Sequence, residues 1–315
     1  PGRALGREHL DALLLRQAAA AGATVFQPFA LTAFVECEHG YNCTITAVDT
    51  HGDKKLRANL IIAAHGSWES GPLPTQDFRR AARPSDLLGF KAHFRDGALP
   101  AGLMPLLAFA GGYGGMVQTD GGRLSLSVCV RRDVLERCRK RWPGIKAGAA
   151  VLAHIRDSTQ SVDAALRGAT LDGTWLAAGP LRTGIRTFGV DGVFAVGNAA
   201  AEAHPVVAEG ISMAIQSSAL LCSELLARPA AQLDTARADG SLDSVRAAYA
   251  AAWRKNFSGR LRFAATYAHL FMRPLPTRIA IDILKHVPLL LTEGARWSGK
   301  SMPLRGAPHL DALRS

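Results

Sequence analysis

Residues 192–221, GVFAVGNAAAEAHPVVAEGISMAIQSSALL, constrain the fold more than any other stretch. The run 193–196 is short and wholly apolar, the pattern of a strand buried on both faces. Gly197-Asn198 punctuates it. Small residues, Ala199 to Ala201, then lead past His204-Pro205 to Glu209-Gly210, where a helical pattern begins and runs to Leu226. Ile211, Ile215, Ala219, Cys222 and Leu226 share one face of that helix, so this stripe is expected to pack on the sheet. Two readings explain why the loop and first helical turn stay so small. Either Gly197 only turns the chain and Gly210 only starts a packed helix, or a bound group needs the backbone within reach.

Upstream, Leu10, Leu13, Leu14, Ala18 and Ala21 fall on one face of a helical stretch that Gly22 stops. A β-meander follows. TVFQPFALTAFVEC turns at Glu38-His39-Gly40 into CTITAVD, where Cys43, Ile45 and Ala47 alternate with Thr44, Thr46 and Val48. A second turn, 50–53, leads to a buried strand over 60–64. Between about 68 and 185 the clearest element is a hairpin, GGMVQTDGGRLSLSVCVRR, turning at Asp120-Gly121-Gly122. Leu124, Leu126, Val128 and Val130 alternate with Ser125, Ser127 and Cys129, which predicts one packed and one polar face. Helices are expected over 133–142, 146–157 and 159–166, then over 241–272 and 277–287 with Pro274 and Pro276 between. The fold class is α/β with α+β elements.

With 48% hydrophobic and 20% charged residues the chain is globular in composition, which excludes disordered and fibrous classes. Its 315 residues suffice for two packed domains. No apolar run approaches about 18 residues, so no membrane-spanning helix is expected. The five cysteines (Cys37, Cys43, Cys129, Cys138, Cys222) form no CxxC pair and are odd in number. That argues against a zinc site or disulfide framework and for a cytoplasmic location. The net charge of +11 raises the question of nucleic acid. Yet 13 of the 37 basic residues, against 6 of the 26 acidic ones, lie after position 228, scattered along helical segments. No RNA-binding aromatic motif accompanies them. A solvated basic face is expected, with no nucleic-acid partner.

The 192–221 stretch resembles the second FAD-binding signature of the p-hydroxybenzoate hydroxylase-like flavoproteins, which include aromatic monooxygenases, geranylgeranyl reductases and flavin-dependent halogenases. Three further segments agree in order. LGREHLDALLLRQAAAAGATV is similar to the helix and strand after their nucleotide-binding unit. LIIAAHGSWES is similar to the strand and Gly turn ending their adenine-side meander, and LAAGPLRTGIR to the approach to the second signature. The resemblance implies a partial FAD-binding Rossmann-like domain with an inserted β-sheet substrate domain and C-terminal helices. Residues 1–67 and 188–228 would form the cofactor domain, 68–187 the substrate domain, and 229–315 a helical region.

By the same resemblance Asn198 would accept a hydrogen bond from the ribityl chain, where the family usually has Asp. An amide oxygen can still accept that bond, without the added strength of a charge. His204 and Pro205 would lie along the flavin ring. Gly197 and Gly66 would hold the two turns, with His65 standing where an Asp is usual. Gly210 and Ile211 would aim the helix N-terminus at the pyrimidine edge, where unpaired N–H groups favour negative charge. Arg7 would reach the flavin or its phosphates, or be a surface arginine at a helix start. His204 could touch flavin, act on substrate, or simply be held for packing. Trp68 and Trp175 read as core or pocket-wall residues.

G-x-G-x-x-G, which would bind the pyrophosphate, is absent, and the nearest string, 111–115, precedes a strand. With no Met at its start, the chain is expected to be a C-terminal portion that, expressed alone, binds FAD poorly and aggregates. The function implied is an FAD-dependent oxidoreductase: a monooxygenase using NAD(P)H on an aromatic, polyketide or isoprenoid substrate. Phe90, Phe94, Leu106, Phe109 and Met116 would supply apolar contacts, or are simply the residues of a core. Double-bond reduction and halogenation are alternatives, the latter without a Trp-x-Trp here. A flavin-free protein meeting membranes or partners through the basic C-terminal helices is an alternative of another class, since Ile279, Ile283 and Val287 line up beside cations. No side chain stands out as a catalytic acid or base, and none as a metal ligand.

Overall fold

Alternation of apolar and polar residues, read above in two segments, builds the cores of two separate sheets. The computed structural model describes residues 5–38, 40–67, 69–76, 81–190, 192–228, 241–287, 289–290 and 292–293. His39 of the first turn, Trp68 and the stretch 229–240 lie outside them. The chain divides into two units, one of residues 1–26, 81–181 and 268–285, the other of residues 27–80, 182–267 and 286–315.

In the first unit five antiparallel strands follow the order β6-β7-β8-β5-β9. They are β5 (Leu87–Arg95), β6 (Leu106–Phe109), β7 (Gly112–Gln118), β8 (Leu124–Arg131) and β9 (Thr170–Leu181). The predicted hairpin is β7–β8, closed with Gln118 opposite Leu124. Gly121 and Gly122 take φ of 65° and 69° in its turn, a region that costs other residues about 1–2 kcal/mol each. Three helices, α2 (Arg132–Arg141), α3 (Ala147–Ser158) and α4 (Gln160–Ala165), close the core over Leu124, Leu126, Val128 and Val130.

Two expectations change here. β8 does not have one polar face: Ser125 lies between Val117 and His93 and is buried, Cys129 is buried beside Tyr113, and Ser127, beside Gly115, is exposed. Phe90, Phe94, Phe109 and Met116 are core residues packed with Val151 and Ile155, and of the five apolar residues assigned to substrate only Leu106 is exposed. Trp175 lies in the same core layer, edge-on to Phe94 at 6.4 Å.

The first helix, α1 (Arg7–Ala20), also belongs to this unit. Its start is tied to the hairpin turn by Gly6 N–H to Asp120 Oδ1 at 2.8 Å and by Glu8 to Arg123 at 2.9 Å. None of its residues is buried. Leu13 and Leu14 are exposed, so the stripe expected to be covered is only half-buried at Leu10 and Ala18.

The second unit contains the meander β1 (Phe29–Cys37), β2 (Gly40–Ala47) and β3 (Asp53–Ala58), with Cys43, Ile45 and Ala47 buried as their alternation requires. β4 (Ile61–Ala63) pairs in parallel with β12 (Val193–Ala195), Ile61 opposite Val193. β11 (Gly189–Val190) lies on the other side of β12, and β10 (Gly184–Ile185) pairs with β13 (Ala201–Glu202). α5 (Gly210–Leu226) and α6 (Ser241–Phe271) supply the helical side of a core centred on Phe194, Tyr249, Trp253 and Phe257.

The stripe predicted for α5 is corrected. Ile211, Ile215, Cys222 and Leu226 are exposed, while Met213, Ser217, Leu220 and Leu221 are buried. The helix carries two apolar faces, and the buried one includes Ser217, whose hydroxyl accepts the Gly197 N–H just beyond β12. The last described helix, α7 (Pro274–His286), starts at Pro274. A first-turn proline loses no hydrogen bond there, so the residue read as a break is a start.

Candidate functional site

β12 ends at Ala195, and its continuation is fixed on both sides: Val196 N–H donates to Ala63 O at 3.0 Å and Gly197 N–H to Ser217 Oγ at 2.8 Å. Gly197 sits at φ 57°, and a Cβ there would meet that of Ala214 at 3.2 Å. Backbone conformation and a close helix therefore both ask for glycine. Tyr249, fully buried on α6, donates its hydroxyl to Ala195 O at 3.0 Å, and burial pushes its pKa up. The strand end is thus held by a neutral phenol.

From there the chain makes a 3₁₀ turn at Gly197–Ala199, the short β13, a second 3₁₀ turn at Pro205–Val207, and α5. A buried ion pair organises this path. Arg186 and Glu202 meet at 2.6 Å with side chains only 6% and 5% exposed. The same guanidinium donates to the carbonyls of Asn198 and Arg182, while Glu202 also accepts from Ser67 Oγ at 3.0 Å and Arg182 N–H at 3.3 Å. Burial pulls the Arg186 pKa down, and the Glu202 carboxylate opposes that. Four groups from three segments converge on one carboxylate–guanidinium pair, so the loop has little freedom to shift.

The sequence-derived residues of this unit are brought together along that loop and its two flanks. Asn198 is half-buried, with its carbonyl held by Arg186. His204 is buried, and desolvation lowers its pKa to about 4, so its ring is neutral at ordinary pH. Pro205 opens the second 3₁₀ turn. Ala208 adopts φ 51° before the buried Glu209. Helical bonding starts with Met213 N–H to Glu209 O, leaving the amides of Gly210, Ile211 and Ser212 without intrahelical acceptors. Gly210 and Ile211 are exposed, and a Cβ added at Gly210 would have nothing within 4 Å. The same holds for Gly66, at φ 83°. His65 next to it shares a 2.9 Å hydrogen bond with the buried Thr75, and desolvation lowers its pKa. Arg7 belongs to the first unit, where it pairs with Asp11 at 2.8 Å on an exposed helix face.

Sequence reasoning missed the residues that hold the loop. Arg186 lies in a segment singled out for its resemblance, yet nothing local marks it as buried. Glu202 reads as one more polar residue in a small-residue loop. Ser217 was passed over in favour of its apolar neighbours. The available signal was an acid in an otherwise alanine-rich, buried stretch, since buried charges need partners.

The open backbone at Gly66 and Gly210, the half-buried amide of Asn198 and the free first turn of α5 fit the ring and ribityl end of a flavin. The pyrophosphate has no glycine-rich loop in this sequence.

No protein-family model matches the chain, and no curated protein matches it in sequence. Solved structures do. The flavin-dependent brominase Bmp2 superposes with a TM-score of 0.68 at 14% identity, covering 98% of this chain and 75% of its own. The myxobacterial chondrochloren halogenase CndH gives 0.67 at 18% identity, covering 98% and 66%. PqsL of Pseudomonas aeruginosa, a probable FAD-dependent monooxygenase, gives 0.56 at 17% identity, covering 87% and 72%. The halogenase CmlS is 52% covered, so the chain spans between about half and three quarters of the length of these proteins. At such identities the likeness speaks to architecture. The chain has the fold of the flavin-dependent halogenases and of PqsL.

Proposed function

We propose that the chain forms the ring-binding part of an FAD-dependent oxidoreductase, a monooxygenase that takes reducing equivalents from NAD(P)H. The observation that carries this reading is the 197–211 loop: a backbone path pinned by the Arg186–Glu202 pair, leading into a helix whose first amides are open. Bound FAD would supply the redox chemistry and the reaction with O₂. The protein's part is positional and electrostatic. Asn198 would accept a hydrogen bond from a ribityl hydroxyl. The amides of Gly210 and Ile211 would stabilise negative charge on the reduced ring. His204, neutral, would offer one donor or one acceptor and no charge.

For substrate, the sheet face turned away from α2, α3 and α4 in the first unit is the better guide now that the phenylalanines are core. One row across all five strands runs Leu106, Gly115, Ser127, Lys91, Leu176. Leu106 and Leu176 are exposed, and Lys91 makes no ion pair among the described residues. His93 and Ser125 form the adjacent cross-strand pair. This pattern suits a small apolar or aromatic molecule with a polar group.

Halogenation is the second reading, favoured by the fuller coverage of the halogenase structures. The membrane-surface reading has its own observation. Leu275, Ile279, Ile283 and Val287 are all exposed along one stripe of α7 and its end, beside Arg278 and Lys285. Among the described residues no helix is long and apolar enough to cross a membrane.

The test is an absorbance spectrum of the protein expressed from its complete reading frame, before and after NAD(P)H. Flavin bands that bleach on reduction support the oxidoreductase. Halide-dependent product then separates halogenation from oxygenation. A colourless protein that FAD does not reconstitute refutes the proposal.

A further inference from the structure

Between the 185–189 segment and the first half of α6 lies a cleft of about 380 Å³, within the second unit. This is room for a small organic molecule. Arg246, Ala250 and Arg254 follow one another at four-residue steps, so they share a helix stripe, with the two arginine backbones about 12 Å apart. Ala250 leaves the space between them open. The floor is Phe188, a buried ring that Arg254 overlies at 4.9 Å. Phe188 in turn rests on Trp253, ring centres 5.2 Å apart.

The charges are unequal. Arg246 donates to Asp243 at 2.6 Å, a pair on the exposed helix surface that leaves its other N–H groups available. Arg254 makes no ion pair among the described residues, and its guanidinium rests on the Phe188 ring. Arg186 also lines the cleft, but Glu202 neutralises it. Two cations thus face one carboxylate over an aromatic floor. A guanidinium with unused donors matches phosphate or carboxylate oxygens, and a surplus of one charge matches one such group rather than a polyanion.

We propose that this cleft binds a small amphiphilic anion: a single phosphate or carboxylate, held between Arg246 and Arg254, on an apolar or aromatic body that lies against Ala250 and Phe188. No residue proposed to touch FAD lines this cleft, and its only tie to the flavin reading is Arg186, which borders it and pins the loop.

The experiment uses the same preparation as the absorbance test, titrated with phenyl phosphate and with benzoate in a calorimeter and by tryptophan fluorescence, Trp253 being the ring beneath the floor. Inorganic phosphate and benzyl alcohol separate the two halves of the ligand. Saturable binding of either aromatic anion, weakened about tenfold by Arg254→Ala and by Arg246→Ala and strengthened by Asp243→Asn, is expected. Arg262→Ala, an exposed change on the same helix outside the cleft, leaves it unaltered. Arg254→Lys retains part of the affinity and guards against a folding artefact. The proposal is overturned if neither anion binds saturably, if benzyl alcohol binds as well as phenyl phosphate, if inorganic phosphate alone accounts for the affinity, or if both alanine variants bind like the parent.

Discussion

Replacing Arg186 by Met would remove the cation from a pair whose members are 6% and 5% exposed and 2.6 Å apart. Glu202 would keep only Ser67 Oγ and Arg182 N–H as donors, at 3.0 and 3.3 Å, too few for a carboxylate shielded from water. Breaking one side of such a buried pair costs about 3–5 kcal/mol, most of it the stranded charge. The carbonyls of Asn198 and Arg182 lose their charged donor as well. If stranded charge is the main term, Glu202→Gln in the Arg186→Met background should recover a large share, giving a coupling of about 2 kcal/mol or more. Urea unfolding of the parent, both single variants and the double variant measures this. Amide exchange at 195–200 reports whether the loss is local to the loop. A cost below about 1 kcal/mol for Arg186→Met would place the pair with exposed ion pairs. Strictly additive single variants would show that the charges are not coupled. Either result would sink the claim that this pair sets the loop.

Other outcomes follow from single contacts. His204 ionises at about 4 when folded and near its ordinary 6.5 when unfolded, so below pH 6.5 the unfolded chain binds more protons and stability falls until about pH 4. That loss approaches about 3 kcal/mol, and His204→Gln should flatten the slope of unfolding energy against pH in this window, which a pH series of urea midpoints reads. Ser217→Ala strands the Gly197 N–H at the end of β12 and should cost about 1–3 kcal/mol in thermal unfolding; a neutral change would mean water replaces the hydroxyl. Gly197→Ala forces a left-handed residue against Ala214 and should cost about 1–2 kcal/mol by the same assay before any contact strain, so an unchanged melting point would contradict the geometry. For α7, Ile279→Asp should abolish flotation with anionic liposomes if the exposed stripe meets a membrane, and flotation indifferent to this change and to salt would exclude it.

Much of the fold was legible because its signals are local. The period-2 alternation of Cys43, Ile45 and Ala47 and the Asp120-Gly121-Gly122 turn specify strand faces and a hairpin within ten residues of chain. The apolar run ending at Gly197 likewise announces a buried strand. What stayed hidden depends on neighbours distant in sequence. β9 carries no clean alternation, since its residues are mostly exposed or half-buried on an outer strand. Whether Phe90 and Met116 face a ligand or a core depends on which side of the sheet α2, α3 and α4 cover, and hydrophobicity is the same in both cases. On α5 two stripes competed, and apolarity pointed to the wrong one. The buried one contains Ser217, whose hydroxyl accepts a backbone N–H beyond the strand end, a contact no local pattern announces.

The candidate site divides in the same way. By itself the sequence determined where a loop of small residues must lie, between which strand and which helix, because glycine and alanine leave backbone accessible wherever they stand. Only the tertiary structure decided what holds that loop still. A buried carboxylate such as Glu202 is tolerable only beside a cation, and that cation, Arg186, is brought to it by the pairing of β10 with β13. No pattern in sequence records such a meeting, because its energy arises from removing both charges from water together.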